Sequence, residues 1–292
     1  MKTLLYVLTI SGLTIGTKLI EIAYNFGLRF LIRRTNFYKI SKANITTVFT
    51  NKSKNEIDKL ANESCKETLI SFFESLYSWG RGAQKTSFHV NKVVDRYLYT
   101  QETVNNPRLC FSFHNRSIDF LLSWLVVQSQ STVMYKPFKL KPFDEFVKKH
   151  RSYNNSLPVE ASIRGVRQML IDIKSNKTIA LASDQVPQRK LGIESYFFGK
   201  KCYSTTIVSS LAKKMNNLPI MVYVTKPNKS IYSIVFAQPS PQIKLDDGHK
   251  YMNQLFEAEI SKNPKEYSWE YKKFRRIEAV SYTHLRAHET TD

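Results

Sequence analysis

Apolar residues recur at helical spacing from the start of the chain. After Met1-Lys2, the stretch Thr3 to Thr17 carries no charge, and the spacing continues through Leu19, Ile20, Ala23, Phe26, Phe30 and Leu31. Lys18, Glu21 and Arg29 interrupt it on helical turns. The uncharged run is shorter than the roughly 18 to 20 residues a spanning helix needs. No small-residue cleavage site follows, so a removable signal peptide is the weaker reading. Residues 1–32 therefore read as an anchor helix that either spans a bilayer or lies in its interface, the plain alternative being a surface helix. Arg29, Arg33, Arg34, Lys39 and Lys42 follow, and by the positive-inside bias they place that side at the cytoplasm.

Further along, Ser53 with Glu56 is a capping-box signature. Ile57, Leu60, Leu69, Phe72, Phe73 and Leu76 carry the helix it opens to about Trp79. From Leu109 the pattern changes to short apolar runs that predict buried strands at Leu109–Phe113, Thr132–Tyr135, Thr178–Ser183 and Pro219–Val224. Helical stretches near Ser117–Gln128, Ser162–Lys174 and Thr205–Met215 separate them, and Lys226–Ser230 reads as a hairpin into Ile231–Ala237. The alternation predicts an α/β fold, a mostly parallel central sheet flanked by helices. In such sheets ligands gather where strands end.

With no internal repeat, Gly/Ser linker or low-complexity block, one domain of enzyme size over residues 33–280 behind the anchor is the simplest division. The last stretch, 281–292, abandons the Lys/Asn/Ile style of the chain and resembles translated sequencing-adapter read-through. It is set apart as non-native, with the natural C-terminus expected to be truncated. His284 and His288 within it carry no metal assignment.

The 292 residues hold 44 Lys and Arg against 24 Asp and Glu, a net charge of +20. Such a surplus attracts anionic partners through a long-range, salt-sensitive field. Nucleic acid, anionic lipid and acidic carrier proteins all qualify on charge. No zinc-finger, RNP or helix-turn-helix signature is present, and the anchor is awkward for a DNA binder. The three cysteines, Cys65, Cys110 and Cys202, lie far apart without a CxxC pair, which fits reduced packing residues and neither a disulfide framework nor a thiolate zinc site.

Chemistry concentrates in Leu109-Cys-Phe-Ser-Phe-His114-Asn-Arg-Ser-Ile-Asp119-Phe-Leu-Leu-Ser-Trp124, a strand, a polar turn and an apolar helix. His114 falls just past the strand, and Asp119 in the first helical turn, where a carboxylate is favoured by the dipole. An imidazole whose second nitrogen is held by a carboxylate is a ready general base for a hydroxyl nucleophile. Taken alone, a His followed five residues later by an Asp is equally a solvated loop residue and a helix-supporting acid.

The order of motifs narrows the choice. The chain from about Arg33 to Arg276 resembles the His-x4-Asp/Glu acyltransferases, and among them the bacterial lipid A biosynthesis (lauroyl/myristoyl) acyltransferase family. Besides the His114 segment, the resemblance rests on Arg33-Arg34 with Lys42–Phe49, on Met134-Tyr-Lys-Pro137, and on the basic stretch Phe143–Arg151. It continues through Arg164-Gly-Val-Arg167, Ile179–Gln185, Tyr196-Phe-Phe-Gly199 with Thr205-Thr206, and Asn263–Trp269 with Lys272–Arg276. Three departures stand out. Asn115–Asp119 replaces the common Gly-Asn-Trp-Glu and leans toward the glycerolipid acyltransferases, Lys136 replaces an Arg, and Asn154 or Asn155 stands where a Gly is usual.

The resemblance implies a glycerolipid-acyltransferase-like fold and a membrane-associated enzyme moving a fatty acyl chain from acyl carrier protein onto a hydroxyl of a lipid A precursor, at the cytoplasmic face of the cell inner membrane. It implies His114 as general base, Asp119 as its orienting partner, Arg151 and Asp184 as active-site residues, and Gln185 as a substrate-side neighbour. Arg116 is placed to reach a phosphate and Ser117 to cap the helix. No metal or organic cofactor is implied, an acyl carrier protein or acyl-CoA thioester being the co-substrate. The expected partners are the carrier protein, an anionic glycolipid or phospholipid acceptor and the membrane, with no nucleic acid. The alternatives are a glycerol-3-phosphate or lysophospholipid acyltransferase and a catalytically inactive basic protein of the membrane surface.

Overall fold

The structure, a computed structural model, describes residues 2–100, 107–228 and 231–275. Its elements run α1 (Lys2–Leu8), α2 (Gly12–Ala23), a π turn (Tyr24–Leu28), α3 (Arg29–Ile32), α4 (Asn36–Val48), α5 (Lys54–Arg81), α6 (Ala83–Ser87), β1 (Val90–Val94), α7 (Tyr97–Thr100) and β2 (Arg108–Ser112). Then come α8 (Ile118–Gln128), β3 (Ser131–Tyr135), α9 (Lys141–Arg151), β4 (Leu157–Glu160), α10 (Ile163–Lys174), β5 (Thr178–Ala182), β6 (Gly192–Phe197) and β7 (Lys200–Thr205). The chain closes with α11 (Ile207–Ala212), β8 (Ile220–Asn228), β9 (Ile231–Ala237) and α12 (Gly248–Lys262).

Seven strands form the central sheet in the order β1-β9-β8-β2-β5-β3-β4, and β6 and β7 pair as a separate antiparallel hairpin. Every neighbouring pair of the large sheet is parallel except β8 with β9. The mostly parallel α/β architecture expected from the alternation is therefore the one observed. β8 and β9 pair antiparallel as the hairpin reading required, although residues 229–230 between them lie outside the described residues.

The period-two rule of strands sorts the core onto two faces. Leu109, Phe111 and Phe113 enter one apolar cluster with Met169 of α10, Leu211 of α11, Phe256 of α12 and the first half of α5. Cys110, between them, faces the other way, into a cluster dominated by α8 (Phe120, Leu121, Trp124, Leu125) with Val222 and Phe236 of the hairpin strands. Burial on both faces explains why these strands read as continuous apolar runs. All three cysteines are buried thiols, and burial pushes those of Cys65 and Cys110 up to about 12.

Helix α5 begins as its sequence prescribes. Ser53 Oγ accepts from the Glu56 amide, and the Glu56 carboxylate accepts from the Ser53 amide at 2.8 Å, a complete capping box. Gly165, in the first turn of α10, allows that helix to sit on β4: a Cβ there would lie 1.9 Å from the Glu160 carbonyl oxygen.

The N-terminal segment departs from expectation. In place of one anchor helix over residues 1–32 there are α1 and α2, followed by a π turn kinked at Gly27 and then α3. Among the described residues no helix is long and apolar enough to cross a membrane. The break falls where Ser11-Gly12 weakens the helix: Thr9 turns its hydroxyl back to the Tyr6 carbonyl and Gly12 takes φ +77°. The segment is also docked on α5. Arg81 donates to the Thr9 carbonyl at 2.9 Å and stacks over the Tyr6 ring, while Tyr24 donates to the Asn62 carbonyl at 2.9 Å. Its outward side keeps Leu4, Val7, Ile10, Ile15, Leu19, Ile22, Phe26, Phe30 and Leu31 exposed. The stretch 281–292 lies outside the described residues, as does Arg276.

Candidate active site

Strands β2 and β5 are parallel neighbours with Ser112 opposite Ala182. His114 and Asp184 each follow two residues later, so the register alone brings them side by side at the carboxyl edge of the sheet. The Ser183 amide donates to the Ser112 carbonyl at 2.9 Å and extends the pairing to that edge.

His114 Nδ1 lies 2.7 Å from Asp184 Oδ1, and the His114 backbone amide donates to Asp184 Oδ2 at 3.1 Å. Both carboxylate oxygens thus bond to His114, and the Tyr267 hydroxyl also serves the carboxylate. A carboxylate on Nδ1 holds the ring proton there and leaves the Nε2 lone pair as the basic site. Gln185 Nε2 lies 3.1 Å from it. Burial works against the charged imidazole, but the charge and hydrogen bond of Asp184, with smaller contributions from Glu270 and Asp119, hold His114 above the ordinary histidine value of 6.5. Burial likewise opposes the Asp184 carboxylate, yet the His114 pair and the nearby Lys273 ammonium keep it below the usual Asp range.

The carboxylate paired with His114 is therefore Asp184, and the expected pairing of His114 with Asp119 is corrected. Asp119 sits in the first turn of α8, whose N-cap Ser117 accepts from the Phe120 amide at 3.1 Å. Its side chain is taken by Arg151: Nε and Nη2 reach Asp119 Oδ1 at 2.9 and 2.8 Å. A guanidinium at the C-terminal end of α9 is well placed for the helix dipole and competes for the carboxylate better than a neutral imidazole can. Arg151 also lies over the Tyr135 ring, 5.3 Å from its centroid, and its buried Nη1 has no hydrogen-bond partner. A small cavity of about 10 Å³ opens here between Trp79, Leu122 and Val126, with Asp119 and Arg151 on its rim. The chain leaves α9 through Asn154 and Asn155, both left-handed at φ 55° and 56°. Asparagine tolerates that region better than most residues, which fits a position where the resemblance led to the expectation of a glycine.

Arg116 is the second correction. Its side chain is 1% exposed and both terminal nitrogens of its guanidinium are taken by carboxylates, with Glu74 at 2.6 Å, Glu67 at 2.8 Å and Glu266 at 3.1 Å. Burial opposes its charge, but the three glutamates raise its pKa well above the ordinary arginine value. It faces the interior, away from any phosphate a ligand would bring. Lys136, by contrast, is exposed on the loop after β3.

Sequence reasoning noticed the closing run from Asn263 without giving it a role, and this segment forms the back wall of the site. The Ser268 amide donates to the His114 carbonyl at 3.0 Å, and Tyr267 bridges Asn115. The Asn115 amide side chain donates to the Val224 carbonyl at 2.8 Å, and the Lys273 ammonium, 3% exposed, donates to the Asp184 carbonyl. Burial lowers the Lys273 pKa. The available signal was compositional: Glu266, Glu270 and Lys273 alternate with Tyr267, Trp269 and Phe274, an odd mixture of charge and large aromatics for a surface tail. Among the described residues no group of three or more His, Cys, Asp and Glu could hold a metal ion.

The arrangement can take a proton from a hydroxyl at His114 Nε2 and can present the Arg151 guanidinium to an anion. A family model described as bacterial lipid A biosynthesis acyltransferase matches residues 4–276. No curated protein sequence matches the chain.

Proposed function

The chain belongs to the bacterial lipid A biosynthesis acyltransferase family, and from that premise we propose that it moves a fatty acyl chain from acyl carrier protein to a hydroxyl of a lipid A precursor. The observation that carries this reading is the His114–Asp184 pair at the carboxyl edge of the sheet. The acceptor hydroxyl takes the place of the Gln185 amide against His114 Nε2. As its oxygen attacks the thioester carbonyl, the proton passes to Nε2 and the Asp184 carboxylate stabilises the resulting imidazolium. The tetrahedral intermediate then collapses, the carbon–sulfur bond breaks, and His114 returns the proton to the departing carrier thiol. Arg151, held by Asp119 and with Nη1 unpaired, faces either the developing oxyanion or an acceptor phosphate. An acyl thioester is the only co-substrate this chemistry needs.

The direct test incubates detergent-solubilised full-length protein with acyl carrier protein thioesters and a panel of lipid A precursor and lysophospholipid acceptors, followed by mass spectrometry. One added acyl mass on the lipid A precursor is the expected result. Addition to the lysophospholipid alone, which the Asp119 form of the motif favours, would keep the chemistry and replace the acceptor.

The same reading places the protein on the cytoplasmic face of the inner membrane, lying in the interface and not spanning it. The exposed apolar side of α1 to α3, followed by Arg33 and Arg34, supports this. Phe26 is 89% exposed and Phe30 56%. Burying a Phe stabilises by roughly 1.5–3 kcal/mol, so a Phe26→Asp/Phe30→Asp variant is expected to bind anionic vesicles on the order of a hundredfold more weakly. Flotation of the full-length protein measures it, and unchanged binding would remove the π turn and α3 from the membrane contact.

A further inference from the structure

Three carboxylates contribute to the field at His114, and two are already matched to cations: Asp184 with His114 and Lys273, Asp119 with Arg151. The third, Glu270, is different. Among the described residues it takes part in no ion pair with a Lys or Arg. Its Oε2 accepts from Thr68 Oγ1 of α5 at 3.2 Å, its own backbone amide and the Ser268 hydroxyl also serve the carboxylate, and its charge is felt by His114, Tyr267 and Cys65. Glu270 is half-buried and so open on one side. Burial raises its carboxyl above the ordinary Glu value, with its own backbone amide, the Thr68 hydroxyl, the His114 ring and the Ser268 hydroxyl pulling the other way.

Its backbone is held in place. The Asn44 side-chain amide donates to the carbonyls of Trp269 and Tyr271 at 2.7 and 2.8 Å, one on each side of Glu270, and the Ser268 amide is spent on His114. Trp269 anchors the strip at 2% exposure. A carboxylate fixed this firmly near His114, served by hydroxyls and an amide but by no Lys or Arg among the described residues, keeps acceptor capacity for a donor from a ligand.

Resting on the acyl-transfer reading, we propose that Glu270 determines acceptor specificity, taking a hydrogen bond from a second hydroxyl or amide N–H of a glycolipid acceptor beside the hydroxyl that His114 activates. Such an acceptor offers neighbouring donors. A lysophospholipid whose single free hydroxyl is the one activated, such as a lysophosphatidic acid, offers none. Glu270 thus favours the sugar acceptor over such a glycerolipid.

The test compares full-length wild type, Glu270→Ala and Glu270→Gln, measuring direct binding of the lipid A precursor in detergent and the KM for each substrate. Glu270→Ala is expected to weaken acceptor binding and raise acceptor KM by roughly tenfold to a hundredfold, the loss typical of a hydrogen bond to a charged group. The carrier-thioester KM should stay unchanged, and Glu270→Gln should recover part of the loss. Loss of the carboxylate should also move the acid limb of kcat/KM to lower pH, because one of the charges favouring the imidazolium is gone. Equal acceptor binding in wild type and Glu270→Ala overturns the proposal, as does a parallel rise of both KM values with a lowered Tm, which marks a structural role. Binding of the precursor by wild type without transfer would overturn the acyl-transfer reading, while the Glu270 comparison is still decided by binding.

Discussion

Asp184→Asn is expected to reduce acyl transfer by roughly a thousandfold to ten-thousandfold, close to the effect of His114→Ala. The Asn amide fills the same space, but it can present an N–H to Nδ1 and so favour the wrong tautomer, and it lacks the charge that stabilises the imidazolium formed as the acceptor loses its proton. Asp119→Asn leaves the Nδ1 partner in place and loosens Arg151 instead. Its expected cost is smaller, on the order of tenfold to a hundredfold, and falls mainly on acceptor KM if Arg151 meets the acceptor phosphate. Steady-state kinetics of the three variants against wild type separate the assignments. A larger loss of kcat in Asp119→Asn than in Asp184→Asn would restore Asp119 as the orienting carboxylate.

The pH dependence follows with its sign. In the proposed mechanism His114 must be neutral to accept the proton, and Asp184 holds its pKa above 6.5, so kcat/KM of the wild type should climb with an acid limb on the alkaline side of 6.5. Removing the Asp184 charge leaves burial, which disfavours the imidazolium, so the residual activity of Asp184→Asn should show its acid limb at lower pH. The same pair contributes stability that is fully present below 6.5 and is lost as pH rises through the raised His114 value.

The contrast between Asp119 and Asp184 shows what a single sequence could yield. The strand ending near Phe113, the Ser117 cap and the helix after it were all readable locally, and they put His114 at a strand end and Asp119 in a helical first turn. What pairs with His114 depends on strand order. Nothing local says that β5, about 70 residues later, lies against β2 in a register that sets Asp184 opposite His114. The resemblance supplied Asp184 as a site residue without supplying its partner. The same limit hid the closing segment, whose Glu266, Glu270 and Lys273 acquire meaning only when the chain returns across the motif. Short, weakly patterned strands β1 and β4 also escaped, because four or five residues without strict alternation carry little signal. The N-terminal helices were legible as apolar but not as broken, since Ser11-Gly12 is a modest interruption in an otherwise helical pattern.

Arg116→Met carries the largest expected stability loss. The native guanidinium is shared among Glu74, Glu67 and Glu266, and those carboxylates tie three parts of the fold to the catalytic turn: α5 through Glu67 and Glu74, the closing segment through Glu266, and β8 through the Thr225 hydroxyl and Lys226 amide that also donate to Glu266. Tyr232 donates to Glu74 at 2.9 Å and completes the cluster. Methionine matches much of the volume but leaves Glu74 and Glu266, at 0% and 1% side-chain exposure, without their cation. Breaking one side of a buried ion pair costs about 3–5 kcal/mol, which for a chain of this size corresponds to a drop in Tm on the order of 10 °C. Arg116→Lys should lie between, keeping the charge and losing the fork that reaches three acceptors. Arg116 also sits at φ 58°, in the left-handed region, so its side chain compensates a backbone cost within the turn that presents His114. Loss of the clamp should therefore lower kcat as well as Tm. Thermal unfolding of wild type and both variants decides the matter: an unchanged Tm in Arg116→Met together with a raised acceptor KM would return Arg116 to the substrate side of the site, whereas a large fall in Tm, partly restored by Lys, places it in the frame that holds the base.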